Sequence, residues 1–346
     1  MLGELKFKYN KEAFMKNISI LSFLLLSMLF GQNSLGGVPY SFNNEVGDNV
    51  GLIQTDIVDH DQMLAEDELR PINTPFRYGE IFESNYNFFE YAQREVLDNG
   101  LELWRLDILS RGALAMSLEF EPFYLSDNSL LYMYDEELIN MLGAYSSINN
   151  NDEDIFSIPL LRGEVIHIEL LIPQNTQNAN NIIISEIIHD YRDILNLWEN
   201  YESERDCGDN VNCDSADNFQ DPVNAAAYLD MGGYICSAAL INNTSQNLTP
   251  YVLTAYHCIE GSSPNNFTFY FDHKSSSCSG NSGNYSRSIY GSDLKASRNM
   301  NSSDVALLEM DDIPYSWWDA YYAGWRRNTS APTISAGIHH PGGDPM

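Results

Sequence analysis

Tyr251-Val252-Leu253-Thr254-Ala255-Tyr256-His257-Cys258 decides how this chain is read. The stretch opens as an apolar strand, and Thr-Ala then delivers a histidine with a cysteine at its side. Upstream, Tyr234-Ile235-Cys236-Ser237-Ala238-Ala239-Leu240-Ile241 reads as a second strand with its own cysteine. Downstream, an aspartate opens a short apolar strand in Asn301-Ser302-Ser303-Asp304-Val305-Ala306-Leu307-Leu308. His257 and Asp304 are 47 positions apart, so only a fold that joins distant strands can pair them.

Such a pair has a definite chemistry. Imidazole titrates near neutrality and can take a proton from a nucleophile and return it to a leaving group. A carboxylate behind it holds the tautomer and stabilises the imidazolium. Each residue alone has a plainer reading, since a histidine after a strand is usually structural and aspartate beside serine is common in turns. Cys236 and Cys258 fall on what read as neighbouring strands, where a bridge would pin the loop carrying His257; two unpaired buried thiols are the alternative.

The conjunction is more specific. Thr254-Ala255-Tyr256-His257-Cys258 resembles the histidine motif of trypsin-like serine proteases, and Ser303-Asp304-Val305-Ala306-Leu307-Leu308-Glu309 resembles their aspartate motif. Asn242-Asn243-Thr244, Tyr322-Ala323-Gly324-Trp325 and Ile338-His339-His340-Pro341 are similar to the bacterial lysyl endopeptidase branch, which tends to show another histidine where Tyr256 stands. The resemblance covers about residues 206–346. It implies an all-β chain, with the first antiparallel barrel of a trypsin-like protease and the start of the second. It makes His257 the general base and Asp304 its orienting carboxylate. It also implies bridges Cys236–Cys258 and Cys213–Cys278, and it leaves Cys207 without a partner. The nucleophile is expected beyond this chain: neither Gly-Asp-Ser-Gly nor Gly-Ser-Ser-Gly occurs, and Gly342-Gly343-Asp344-Pro345-Met346 merely ends it. The protease part is therefore expected to be truncated and inactive alone.

Composition bounds the rest. The 346 residues hold 18 Lys plus Arg against 49 Asp plus Glu, a net charge of -31 that repels polyphosphate and argues against nucleic acid. Residues 206–346 carry 15 acids and 6 bases, so most of the excess lies earlier. Lys6, Lys8, Lys11 and Lys16 precede the apolar run Ile18 to Phe30, a signal-peptide pattern over residues 1–36 with a native start at Met1 or Met15. A secreted product with oxidised cysteines is expected, monomeric and free of the membrane after processing. His339 and His340 would face opposite sides of a strand, and no zinc spacing occurs, so neither metal nor cofactor is expected.

Residues 38–100 show no strong period. From Leu101 the pattern sharpens: Trp104, Leu106 and Ile108 alternate along a half-buried strand. Ala113 to Phe120, Leu130 to Tyr134, Ile155 to Leu160 and Val165 to Ile172 read as further strands, punctuated by Gly112, Pro122, Asn128 and Arg162-Gly163. Ile182 to Trp198 reads as a strand and then a helix. Short strands at this spacing suggest a β-sandwich over residues 37–205, a propeptide by loose resemblance or else a generic binding module. Polar residues 199–217 hold Cys207 and Cys213 and mark the boundary, with Arg205-Asp206 as a processing point. Two functions follow: a secreted serine endopeptidase precursor acting on protein or peptide substrates, after Lys or Arg, or a secreted binding protein with a non-catalytic protease-like domain.

Overall fold

The computed structural model describes residues 34–71, 73–195, 209–280, 283–327, 330, 333 and 335–346. The apolar run of the expected signal segment, Arg205-Asp206 and Cys207 lie outside the described residues. The chain is all-β. Its strands are β1 (Gly51–Gln54), β2 (Phe76–Arg77), β3 (Gly79–Asn87), β4 (Gln93–Val96), β5 (Leu101–Leu109), β6 (Ala115–Tyr124) and β7 (Leu130–Asp135). They continue with β8 (Met141–Tyr145), β9 (Phe156–Ser157), β10 (Leu161–Arg162), β11 (Val165–Pro173), β12 (Asn181–Asp190) and β13 (Ala226–Asp230). The last are β14 (Tyr234–Ile241), β15 (Tyr251–Thr254), β16 (Thr268–Phe271), β17 (Ser288–Tyr290), β18 (Ser292–Arg298) and β19 (Val305–Met310).

Residues 34–195 build a sandwich. One sheet runs β1-β5-β11-β7-β8 with β4 also on β5, and the other runs β10-β6-β12-β3 with β9 on β6. Their inner faces meet in one core. Leu106, Ile108, Leu131, Met133, Ile166 and Ile168 come from the first sheet, and Leu118, Phe120, Ile182 and Ile184 from the second. The alternation read in Trp104, Leu106 and Ile108 is this inner face, since successive strand residues point to opposite sides.

Three details depart from the sequence reading. The strand expected over Ile155 to Leu160 shortens to β9, because Pro159 cannot donate to a ladder. No helix follows β12 among residues 191–195. Both carboxylate oxygens of Asp190 accept backbone N–H groups there, from Arg192 at 2.8 Å and Ile194 at 2.8 Å, and the turn they close ends the strand. Residues 38–100, unreadable by period, hold an eight-residue helix α1 (His60–Asp67) and the nine-residue β3. As an edge strand, β3 has one partner, β12, and its half-exposed side chains blur the two-residue rhythm.

Residues 226–310 form one sheet in the order β17-β16-β13-β14-β15-β19-β18. β17 and β18 are halves of one strand bent at Gly291, where φ is +82°, so the sheet closes into a six-stranded antiparallel barrel. The lumen takes every second residue: Ala306, Leu308 and Met310 of β19, Ala238 and Leu240 of β14, and Phe269 and Phe271 of β16. No strand follows Met310 among the described residues. The chain there runs in extended segments and short 3-10 turns and packs back on the barrel, with Met346 N–H donating to His273 O at 3.3 Å.

Sandwich and barrel touch at several places, two of which are polar and lie away from the histidine turn. The Tyr78 hydroxyl, fully buried, donates to Asp230 at 2.8 Å. Nearby, Glu83, Glu119, Glu121 and Glu186 of the second sheet line a cavity of about 440 Å³ with Ser262, Ser263, Asn266 and Thr268 of the barrel. Asn266 donates to Glu119, and burial, with Glu186 beside it, pushes the Glu119 carboxyl up to about 8. A carboxyl raised on folding stabilises the fold at pH below about 4.5, and that contribution is lost as pH rises through about 8. Glu119→Gln is therefore expected to raise Tm by about 2–4 °C above pH 8 and not at pH 5. Melting curves at both pH values check it; an equal shift at each would contradict the assignment.

Candidate active site

His257 sits on the one-turn helix α2 (Tyr256–Ile259), directly after β15. The Thr254 hydroxyl ends the strand by donating to Ser237 O at 2.9 Å, and Ala255 begins the turn. β15 pairs antiparallel with β19, with Thr254 opposite Ala306. That register brings the residue just before β19, Asp304, beside the residues just after β15. Asp304 itself has φ +45°, a left-handed backbone rare outside glycine but tolerated by aspartate in turns, and its N–H donates to Asn299 O at 3.1 Å.

The two side chains meet. His257 Nδ1 lies 2.7 Å from Asp304 Oδ2, and the His257 backbone N–H donates to Oδ1 at 3.0 Å. Both carboxylate oxygens thus accept from His257, and the Tyr256 backbone N–H also donates to this carboxylate, which fixes the ring by position as well as by charge. The hydrogen bond from His257 holds the Asp304 carboxyl below the usual range, so it is ionised at neutral pH. With Nδ1–H donating to the carboxylate, Nε2 is left as the basic nitrogen of the ring.

Cys258, buried in α2, is bridged to Cys236 on β14 with Cα atoms 6.2 Å apart, which ties the histidine turn to the barrel wall. Cys213 is bridged to Cys278, with Cα atoms 4.6 Å apart, and fastens the segment preceding β13 to the loop after β16. Cys236, His257 and Cys258 place one donor atom each within 4.8 Å of the others, a spacing a metal could use. Both sulfurs are spent in the disulfide, so no thiolate is available and the set does not make a metal site.

The histidines of the sequence separate into different roles. His339 lines the cleft with His257. His340 is buried, its Nδ1 3.1 Å from Asp344 O, with its ring packed on Tyr228 and His273; burial holds it well below the usual histidine range. His60 and His189, 129 positions apart, bring their Nε2 atoms within 2.9 Å of each other in the sandwich, and burial beside His60 pushes His189 down to about 4. His167 Nδ1 lies 2.7 Å from Asp107, also in the sandwich.

Two features escaped the sequence reading. Gly280-Asn281-Ser282-Gly283 spells Gly-x-Ser-Gly beside Cys278; Asn281 and Ser282 lie outside the described residues, and Gly283 packs closely on the His273 ring. The second is a strap from the sandwich. A cleft of about 640 Å³ at His257 is lined on the barrel side by Ile235, Cys236, His257 and residues 339–343. Asp67, Glu68, Arg70, Pro71, Thr74, Pro75, Phe76 and Arg77 line its other side, with Arg192. No helical or strand period marks residues 68–75, so only the fold could reveal that they reach the barrel.

Comparison with known proteins bears on the same region. Residues 201–346 match the family model described as Lysyl endopeptidase, C-terminal domain. A lysyl endopeptidase of Pseudomonas aeruginosa is 24% identical over 271 residues, covering 71% of this chain and 57% of that protein. The chain thus spans little more than half the length of this relative. Both similarities are to lysyl endopeptidases, and the family model falls on the part of the chain that carries His257 and Asp304.

Proposed function

We propose that the chain is the precursor of an exported serine endopeptidase of trypsin-like type, cutting after Lys or Arg, with His257 as general base and Asp304 as its orienting carboxylate. The observation that carries this reading is the 2.7 Å contact between His257 Nδ1 and Asp304 Oδ2 at the edge of a cleft. Residues 1–36 are the signal peptide, 37–205 a propeptide, and 206–346 the first barrel and the entry to the second. The nucleophilic serine is supplied by chain following Met346; the lack of a Gly-Asp-Ser-Gly or Gly-Ser-Ser-Gly string and the 57% coverage of the relative support this.

In that arrangement the serine hydroxyl gives its proton to His257 Nε2 as its oxygen attacks the scissile carbonyl carbon. The imidazolium, stabilised by Asp304, then protonates the leaving amine as the carbon–nitrogen bond breaks. Water repeats the cycle on the acyl-enzyme and restores the serine. The substrate is an extended peptide, and no cofactor takes part. No helix among the described residues is long and apolar enough to cross a membrane.

The full-length protein, tested on matched lysine, arginine and phenylalanine amides, should turn over the basic pair and lose that turnover to a serine-directed covalent inhibitor. Turnover of the phenylalanine amide alone would overturn the specificity. Absence of any turnover after the N-terminal domain is removed by processing would favour a non-catalytic binding protein.

A further inference from the structure

The strap at residues 67–77 is built into the cleft by more than proximity. β2 adds to the barrel sheet antiparallel to β14, with Arg77 opposite Tyr234 and Phe76 opposite Ile235. Those β14 residues run directly into Cys236, the bridge partner of Cys258 beside His257. The strap therefore approaches the site as an extended peptide does when it completes a sheet edge, by main-chain pairing. Its side chains reinforce the pairing. The Arg70 guanidinium lies 5.2 Å above the Tyr234 ring, and Phe76 is stacked under Arg192 at 4.8 Å. Asp67, at the end of α1, accepts from Arg77 Nε at 2.7 Å, Arg192 Nη2 at 2.6 Å and the Tyr191 hydroxyl at 2.6 Å. Three donors converge on one nearly buried carboxylate, the kind of charge-assisted cluster that fixes a segment.

The strap is also chemically unsuited to being cut. It holds two basic residues. Arg70 is followed by Pro71, whose ring nitrogen carries no N–H and whose fixed φ restricts the residue before it. Arg77 is turned onto Asp67 and Glu66 of α1, at 2.7 and 3.3 Å, so its charge is already paired. The remaining turn is closed by Thr74, which donates from both N–H (3.1 Å) and hydroxyl (2.7 Å) to Pro71 O ahead of a second proline, Pro75.

We propose that the described residues 67–71 and 73–77 are a resident, non-cleavable occupant of the peptide cleft beside His257, paired to β14 through Phe76 and Arg77, so that peptide substrates enter only after this strap is withdrawn. The peptide character of the cleft rests on the function proposed above; the occupancy does not. The test is made on the 346-residue chain by carbethoxylation of histidines with diethyl pyrocarbonate, read by peptide mass spectrometry, with His167 in the sandwich as internal reference. Asp67→Asn and Phe76→Ala each weaken one anchor and are expected to speed His257 modification about tenfold, the factor carried by one charge-assisted or cation–π contact, and to leave His167 unchanged. An unchanged His257 rate in both variants would overturn the proposal whatever the protein's activity. Since Asp67→Asn could unsettle the sandwich, Phe76→Ala and a matched melting curve keep the result readable. In the full-length protein, Pro71→Ala is expected to let the strap be cut after Arg70, giving a new N-terminus at position 71. An active protein with that strap intact would overturn its placement as a substrate-like occupant, and an inactive one with a fast-labelling His257 would instead count against the peptidase reading alone.

Discussion

His257→Ala in the full-length protein is expected to lower kcat/KM by about four orders of magnitude while Tm moves by less than about 2 °C. The two halves of that expectation have separate causes. The ring is partly exposed, with 24% of its side-chain surface accessible, and its side-chain contact to Asp304 is a single hydrogen bond near the surface. Such pairs contribute about 0–1 kcal/mol to folding. The same ring is the proposed proton carrier in both halves of the reaction. Asp304→Asn should lose nearly as much activity, because an amide in that position favours the wrong tautomer of His257. Steady-state kinetics with a lysine amide, paired with calorimetry, checks both variants. A large fall in Tm with modest loss of turnover would make the pair structural.

Removing the Cys236–Cys258 bridge by double replacement with serine is expected to cost about 3 kcal/mol of stability and to depress turnover as well. The bridge closes 22 residues of chain, a span that includes the β14–β15 hairpin. Its loss frees far more unfolded-state entropy than deleting one hydrogen bond, worth about 1 kcal/mol, would match. Cys258 is also the residue after His257, so the bridge holds the turn that aims the imidazole at Asp304. Urea unfolding of the oxidised chain against the double variant measures the first effect. A difference under about 1 kcal/mol would mean that packing around the buried Cys258 and Ile259 already fixes the turn.

Much of the barrel was legible because its signals are local. Tyr251 to Thr254 and Val305 to Leu308 alternate as strands, and the residues that cap them are the candidate site itself. The sandwich core was legible from Leu101 onward for the same reason, since its strands bury one face and keep a two-residue rhythm. The strap was not. Its anchors are Asp67, Arg77, Tyr191 and Arg192, charged or polar groups 10 to 125 positions apart that only the fold brings together. The His60–His189 pair was hidden likewise, by a separation of 129 positions. No pattern of neighbours along the chain encodes such contacts. β2 shows the limit most plainly: two residues with half-buried side chains become a strand because β14 offers an edge.

Labelling the full-length protein with a fluorophosphonate and locating the modified residue by mass spectrometry tests the proposed catalysis most directly. The expected result is one modified serine in the chain following residue 346, with the label lost in His257→Ala. A label on Ser237, Ser282, Ser302 or Ser303, or one that persists undiminished without His257, would contradict it.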